Sequence, residues 1–109
     1  MEVTFADKKL ETVALSHSKL VRKFGAKSAR LIRMRLLSLE NVQNVEELKI
    51  LPGRWHELTG TRAGSWAADV GHPLRIVIRP TPPIPAKVGG GINWIEIVRV
   101  TVIEIVDYH

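Results

Sequence analysis

The feature that most constrains the fold is a change of hydrophobic period at Pro52-Gly53. Before it, apolar residues recur at helical spacing. After it, short strand-like runs alternate with turn residues. In the first half, residues 2–6 read as a strand and residues 7–17 as a helix, with Asp7 as its N-cap. A longer helix is predicted from about Ala26 to Glu40, burying a stripe of Ala29, Ile32, Leu36 and Leu39. Met34 and Leu37 are expected to widen that apolar side. Asn44 to Lys49 suggests a helical turn. In the second half, strands are predicted at about 54–59, 65–70, 74–79 and 94–106, with turns at Gly60–Gly64 and Gly71-His72-Pro73. Helices first and antiparallel strands after predict an α+β domain. Two N-terminal helices should pack on one face of a mainly antiparallel sheet.

With 109 residues the chain is expected to form a single domain, 1–109, with a modest core. The segment from Pro80 to Gly91 holds four of the six prolines and three of the eight glycines. Proline cannot donate to a sheet ladder, so 80–91 reads as a long Pro/Gly-rich loop between the last two strands. There is no cysteine, hence no disulfide, thiol nucleophile or thiolate metal site. No apolar stretch approaches the ~20 residues needed to cross a bilayer, and the N-terminus lacks a signal-peptide pattern. A cytoplasmic protein without a membrane partner is the expectation.

The formal charge of +5 is concentrated. Between Lys19 and Arg35 lie seven basic residues, Lys19, Arg22, Lys23, Lys27, Arg30, Arg33 and Arg35, and no acid. Such a block implies a polyanionic partner, either nucleic acid or an acidic protein, or a plain solvated helix face.

The predicted strand 94–106 runs into Asp107, Tyr108 and His109. It would deliver an acid, a phenol and an imidazole to one end of the sheet. A second imidazole, His56, lies in another predicted strand. Two imidazoles, with Arg62, Arg75 and Asp107, suffice for RNA cleavage without a metal or other cofactor. One histidine takes the proton of the 2′-hydroxyl, which attacks phosphorus, and the other protonates the leaving oxygen. Arginine forks match the phosphoryl oxygens. Asp107 could orient an imidazole, and Tyr108 could stack on a base or donate to phosphate. Residue types alone also allow structural histidines. His17 and His72 have no companions and read as surface residues. No His-x-x-x-His pair, Gly-x-Ser-x-Gly elbow or Walker loop is present.

The order Leu51-Pro52-Gly53, Trp55-His56-Glu57-Leu58, then Gly60, Arg62, Gly64 and Trp66, then Leu74-Arg75-Ile76, and finally Glu104 to His109 carries a resemblance. It is similar to the HigB-type killer toxins of the RelE superfamily, over nearly the whole chain. The resemblance implies a RelE-like fold and the toxin of a type II toxin-antitoxin system, as in plasmid maintenance. It implies an mRNA interferase, a ribosome-dependent endoribonuclease acting on mRNA in the ribosomal A site. It also implies a helix-turn-helix antitoxin of HigA type as partner. His56, Asp107, Tyr108 and His109 fall on the family's active-site positions. Arg62 and Arg75 fall where basic residues face phosphate, and Lys23, Lys27, Arg30 and Arg33 would attract RNA.

Two departures stand out. Many members carry Lys where Thr59 stands here, leaving Arg62 and Arg54 as substitutes, and the loop 80–91 is long. A degenerate toxin that binds RNA or protein without cutting is the alternative.

Overall fold

Asp7 starts a helix where the sequence places one: its Oδ1 accepts from the Leu10 amide at 2.8 Å. Such a cap is worth ~1 kcal/mol. The computed structural model describes residues 1–107, so Tyr108 and His109 lie outside the described residues. The first strand is β1 (Glu2–Phe5). It leads into α1 (Lys8–Ala14), α2 (His17–Phe24) and α3 (Ala26–Asn41). A 3-10 turn, Val45–Ile50, ends the helical half. The strands β2 (His56–Glu57), β3 (Trp66–Asp69), β4 (Arg75–Pro80) and β5 (Arg99–Val106) follow.

The mixed α+β architecture stands, but the described residues form three α-helices where two were expected. The first stops at Ala14 because Ser16 recaps the chain, its hydroxyl accepting from the Lys19 amide. Gly25, at φ 88°, then ends α2 and opens α3. In α2, Leu20 is fully buried and Val21 and Phe24 pack beside it. A buried leucine of this kind contributes ~1.5–3 kcal/mol.

The five strands form one sheet in the order β1-β5-β4-β3-β2. The β1–β5 pair is parallel and the other three pairs are antiparallel. All three helices lie against one face. There Leu20, Ala29, Ile32, Leu36 and Leu39 meet Trp66, Ala68, Ile76, Ile78, Val100 and Val102. Trp94 closes one end of this core, edge-on to Trp66 at 5.5 Å.

Other expectations shift for local reasons. The strand expected at 54–59 shortens to His56–Glu57, with Leu58 N still donating to Ser65 O at 2.8 Å; ahead of it Gly53 (φ 116°) and Arg54 (φ 56°) are left-handed. The strand expected at 94–106 begins at Arg99, since Trp94–Glu96 makes a 3-10 turn. The 80–91 loop is tied to itself: Lys87 N donates to Gly91 O at 3.0 Å and Asn93 N to Pro85 O at 3.0 Å. Met34 and Leu37 do not join the core; they are 45% and 55% exposed on the outer side of α3. Their inward place is taken by Arg35, only 7% exposed. With Ser28, Ile32 and Leu39 it forms a stripe at helical spacing.

Candidate active site

Among the described residues no α-helix packs on the second face of the sheet. Its residues follow from strand pairing, because directly opposed residues project to the same side. One row runs His56, Ala67, Val77, Glu104 across four strands. A neighbouring row holds Asp69, Arg75 and Val106. Leu58, Ala67, Val77 and Val106 make a small apolar cluster that floors this face.

A bulge decides what β5 contributes. Val77 opposes Glu104 while Ile78 opposes Val102, so Ile103 is an extra residue. Alternation therefore slips by one. Val100 and Val102 face the helical core, and after the bulge Ile105 does so as well. Glu104 and Val106 are thereby sent to the open face.

His56 is exposed, and its Nδ1 lies 2.7 Å from the Arg54 carbonyl. A carbonyl only accepts, so Nδ1 carries a proton, and in the neutral ring Nε2 is then left with a lone pair. Arg62, at the end of the 3-10 turn Gly60–Arg62, donates from Nε and Nη2 to Glu104 Oε1 at 3.2 and 2.9 Å. Arg75 Nε approaches Asp69 Oδ1 to 2.9 Å. That contact is an ion pair rather than an aligned hydrogen bond, since Oδ1 accepts none. Only 13% of the Arg75 side chain is exposed, so the expected phosphate contact has a narrow opening. Arg54 is mostly solvated, with Nη1 3.6 Å from Asp69 Oδ2. Thr59, where a lysine was expected by resemblance, is exposed at the start of the same turn.

Sequence reasoning passed over Arg79. It is exposed, shares the open face with Arg75 and Val77, and has no acidic partner among the described residues. Its Nη2 donates to the Ala63 carbonyl at 3.4 Å. The alternation Arg75-x-Val77-x-Arg79 in a strand would have found it.

Asp107 is exposed directly after β5, beyond the Val106–Arg75 pair. His56 and β5 are separated by three strand spacings, roughly 14 Å between backbones. Tyr108 and His109, two of the expected catalytic residues, lie outside the described residues.

The charge block divides. Lys27, Arg30 and Arg33 are exposed on α3, in the helical layer, while Lys23 on α2 is exposed and lines a cleft with Glu104 at the edge of β5. Arg35 is buried, and burial pushes its guanidinium below its ordinary pKa while the Asp69 carboxylate opposes that shift. His17 and His72 are exposed, as expected. Among the described residues no group of three His, Asp or Glu side chains could hold a metal, and no helix could cross a membrane.

No family model matches the sequence, and no curated protein sequence matches it significantly. Solved structures do match the fold. A YoeB/ParE toxin from Agrobacterium tumefaciens superposes with a TM-score of 0.61 at 15% identity, covering 100% of both chains. A YoeB-YefM complex from Staphylococcus aureus gives 0.59 at 15% identity, covering 100% of this chain and 97% of that one. The YoeB dimer from the same organism gives 0.58 at 16% identity, with the same coverage. At these identities the likeness establishes the fold alone, one shared with these YoeB structures, and does not single out HigB.

Proposed function

We propose that this protein is the toxin of a type II toxin-antitoxin system, an mRNA interferase that cuts mRNA in the ribosomal A site without a metal. The observation that carries the reading is His56, exposed on the open sheet face with Nδ1 engaged by a backbone carbonyl and Nε2 available as a base. Arg75 and Arg79 share the open face with it, Arg62 reaches that face through Glu104, and Arg54 precedes it by two residues. In the reaction, His56 Nε2 takes the proton of a 2′-hydroxyl. The freed oxygen bonds to the adjacent phosphorus, and the bond from phosphorus to the 5′-oxygen breaks. The arginines stabilise the charge growing on the phosphoryl oxygens. His109 donates the proton that leaves with the 5′-oxygen, Asp107 orients an imidazole and Tyr108 stacks on a base. The products are a 2′,3′-cyclic phosphate and a 5′-hydroxyl end.

The partners follow from the same reading: the ribosome, the mRNA within it, and a helix-turn-helix antitoxin. A solved structure of like fold is a complex with a second protein, YefM, which supports a protein partner for this chain. An antitoxin of HigA type remains the expectation from sequence resemblance. A protein that acts on ribosomes would be cytoplasmic.

The test is 5′-end mapping of transcripts on purified ribosomes, with the intact chain and with His56→Ala. Protein-dependent ends that vanish in the variant support the enzyme. Ends that persist remove His56 from the reaction.

One observation favours a second reading, a non-catalytic binding protein of the same fold. Arg62 and Arg75 are both in ion pairs with carboxylates, Glu104 and Asp69, which offset their attraction for phosphate. No protein-dependent ends, together with retained RNA or ribosome binding, would decide for it.

A further inference from the structure

Arg35 is the least expected residue in the molecule. It belongs to the basic run, yet it points inward from α3 beneath the edge of the sheet. Its Nε donates to the Asp69 backbone carbonyl at 2.9 Å. Its guanidinium also fills the space beside Gly53. A Cβ on Gly53 would overlap Arg35 Nε and approach Arg35 Cδ to 2.8 Å. Residue 53 is therefore glycine for two reasons, its φ of 116° and the arginine against it.

From there the contacts lead to His56. The Gly53 carbonyl accepts from the Asp69 amide at 2.8 Å, so the turn is tied to the end of β3 on both sides of Arg35. The Asp69 carboxylate then attracts Arg54 at 3.6 Å as well as Arg75 at 2.9 Å. Arg54 is the single non-glycine residue with positive φ among the described residues, at 56°. That conformation is uncommon for a long side chain and persists where its surroundings hold it. It aims the Arg54 carbonyl at His56 Nδ1.

We infer that Arg35 is a positioning residue for His56: through Asp69 and the Gly53-Arg54 turn it holds the imidazole in the Nδ1–H tautomer, with Nε2 presented as the proton acceptor. The inference rests on the proposed role of His56 as base. A neutral imidazole without such a fixed acceptor exchanges between tautomers, and only one of them offers a lone pair at Nε2. The buried cation of the helical layer thus sets the protonation pattern of an exposed group on the other side of the sheet.

The experiment is long-range ¹⁵N–¹H correlation of the His56 ring at pH 8, where imidazole is ordinarily neutral. It is run on the intact chain and on Arg35→Met, Gly53→Ala and Asp69→Asn, with thermal unfolding recorded for each. The intact chain is expected to show the Nδ1–H pattern. The variants should lose that pattern to Nε2–H in their folded fraction. Leu37→Ala, on the outer side of the same helix, should leave it unchanged. An intact chain in the Nε2–H form overturns the inference outright. Folded variants that keep the Nδ1–H form overturn it too, whatever their loss of thermal stability, because a merely structural Arg35 would move the melting temperature and not the tautomer. Should Arg35→Met not fold, Gly53→Ala, whose added Cβ would meet Arg35 Nε and Cδ, reads the same chain of contacts. Cleavage on ribosomes separates the two proposals. Shifted tautomers without any cleavage by the intact chain uphold the positioning role and remove the nuclease. Cleavage with an unmoved tautomer does the reverse.

Discussion

Arg62 Nη2 stands 2.9 Å from Glu104 Oε1, and the pair exists because Ile103 bulges out of β5. Without that extra residue, Glu104 would share the face of Val102 and point into the helical core. Both side chains are about one-third exposed, at 33% and 38%, so water screens the attraction. The pair is worth at most ~1 kcal/mol. Its interest lies in charge placement, since the carboxylate holds a cation the proposed chemistry needs.

Glu104→Gln should therefore leave stability within about 1 kcal/mol and raise RNA affinity by removing a negative charge beside Arg62. Arg62→Ala should lower ribosome-dependent cleavage, by an amount approaching the ~10²-fold seen when one transition-state donor is removed. Denaturant titration and single-turnover cleavage measure the two effects. If both substitutions leave cleavage unchanged, the pair is a structural clasp.

Arg79 is expected to matter although the sequence reading passed over it. It lies on the open face with no carboxylate partner among the described residues. Arg79→Ala should weaken binding to a short single-stranded RNA and make that binding less salt-dependent, since one fewer counterion is released. An unaltered salt slope would take Arg79 out of the RNA contact.

Removing His109 should separate activity from stability. A chain of residues 1–108 should unfold at the same temperature as the full chain and lose ~10²–10⁴-fold in cleavage rate, the usual contribution of a positioned proton donor. Full activity in the shortened chain removes His109 from the mechanism. Joint loss of stability and activity makes the tail structural.

The basic outer side of α2 and α3 should act at long range. Lys27→Glu with Arg30→Glu should weaken ribosome association and flatten its dependence on salt, while cleavage of already bound mRNA proceeds normally. Association that stays the same across salt concentrations would assign this side to solvent or to a protein partner.

Some of this was legible in one dimension. Asp7 as a cap, the buried stripe of α3, the change of period at Pro52-Gly53 and the α+β class all rest on local rules. A cap needs a partner three residues away, and an amphipathic stripe repeats within one turn. The second helix was missed although Ser16, Leu20, Phe24 and Gly25 carried the same signals over a shorter stretch. His56, Arg54, Arg62 and Arg75 were named from residue type and resemblance, while Arg79 was not.

What the sequence by itself determined, then, was the set of elements and the chemical groups available. The tertiary structure decided which of those groups face one another. The single extra residue at Ile103 sends Glu104 to Arg62, and strand pairing places Arg79 beside them. The packing of α3 turns Arg35 away from the basic surface and under Gly53. Lys27, Arg30 and Arg33 stay exposed on the helical layer. None of these outcomes is local. Each depends on a register or a packing angle set by residues tens of positions away, and in a sheet one residue of register reverses every side chain that follows.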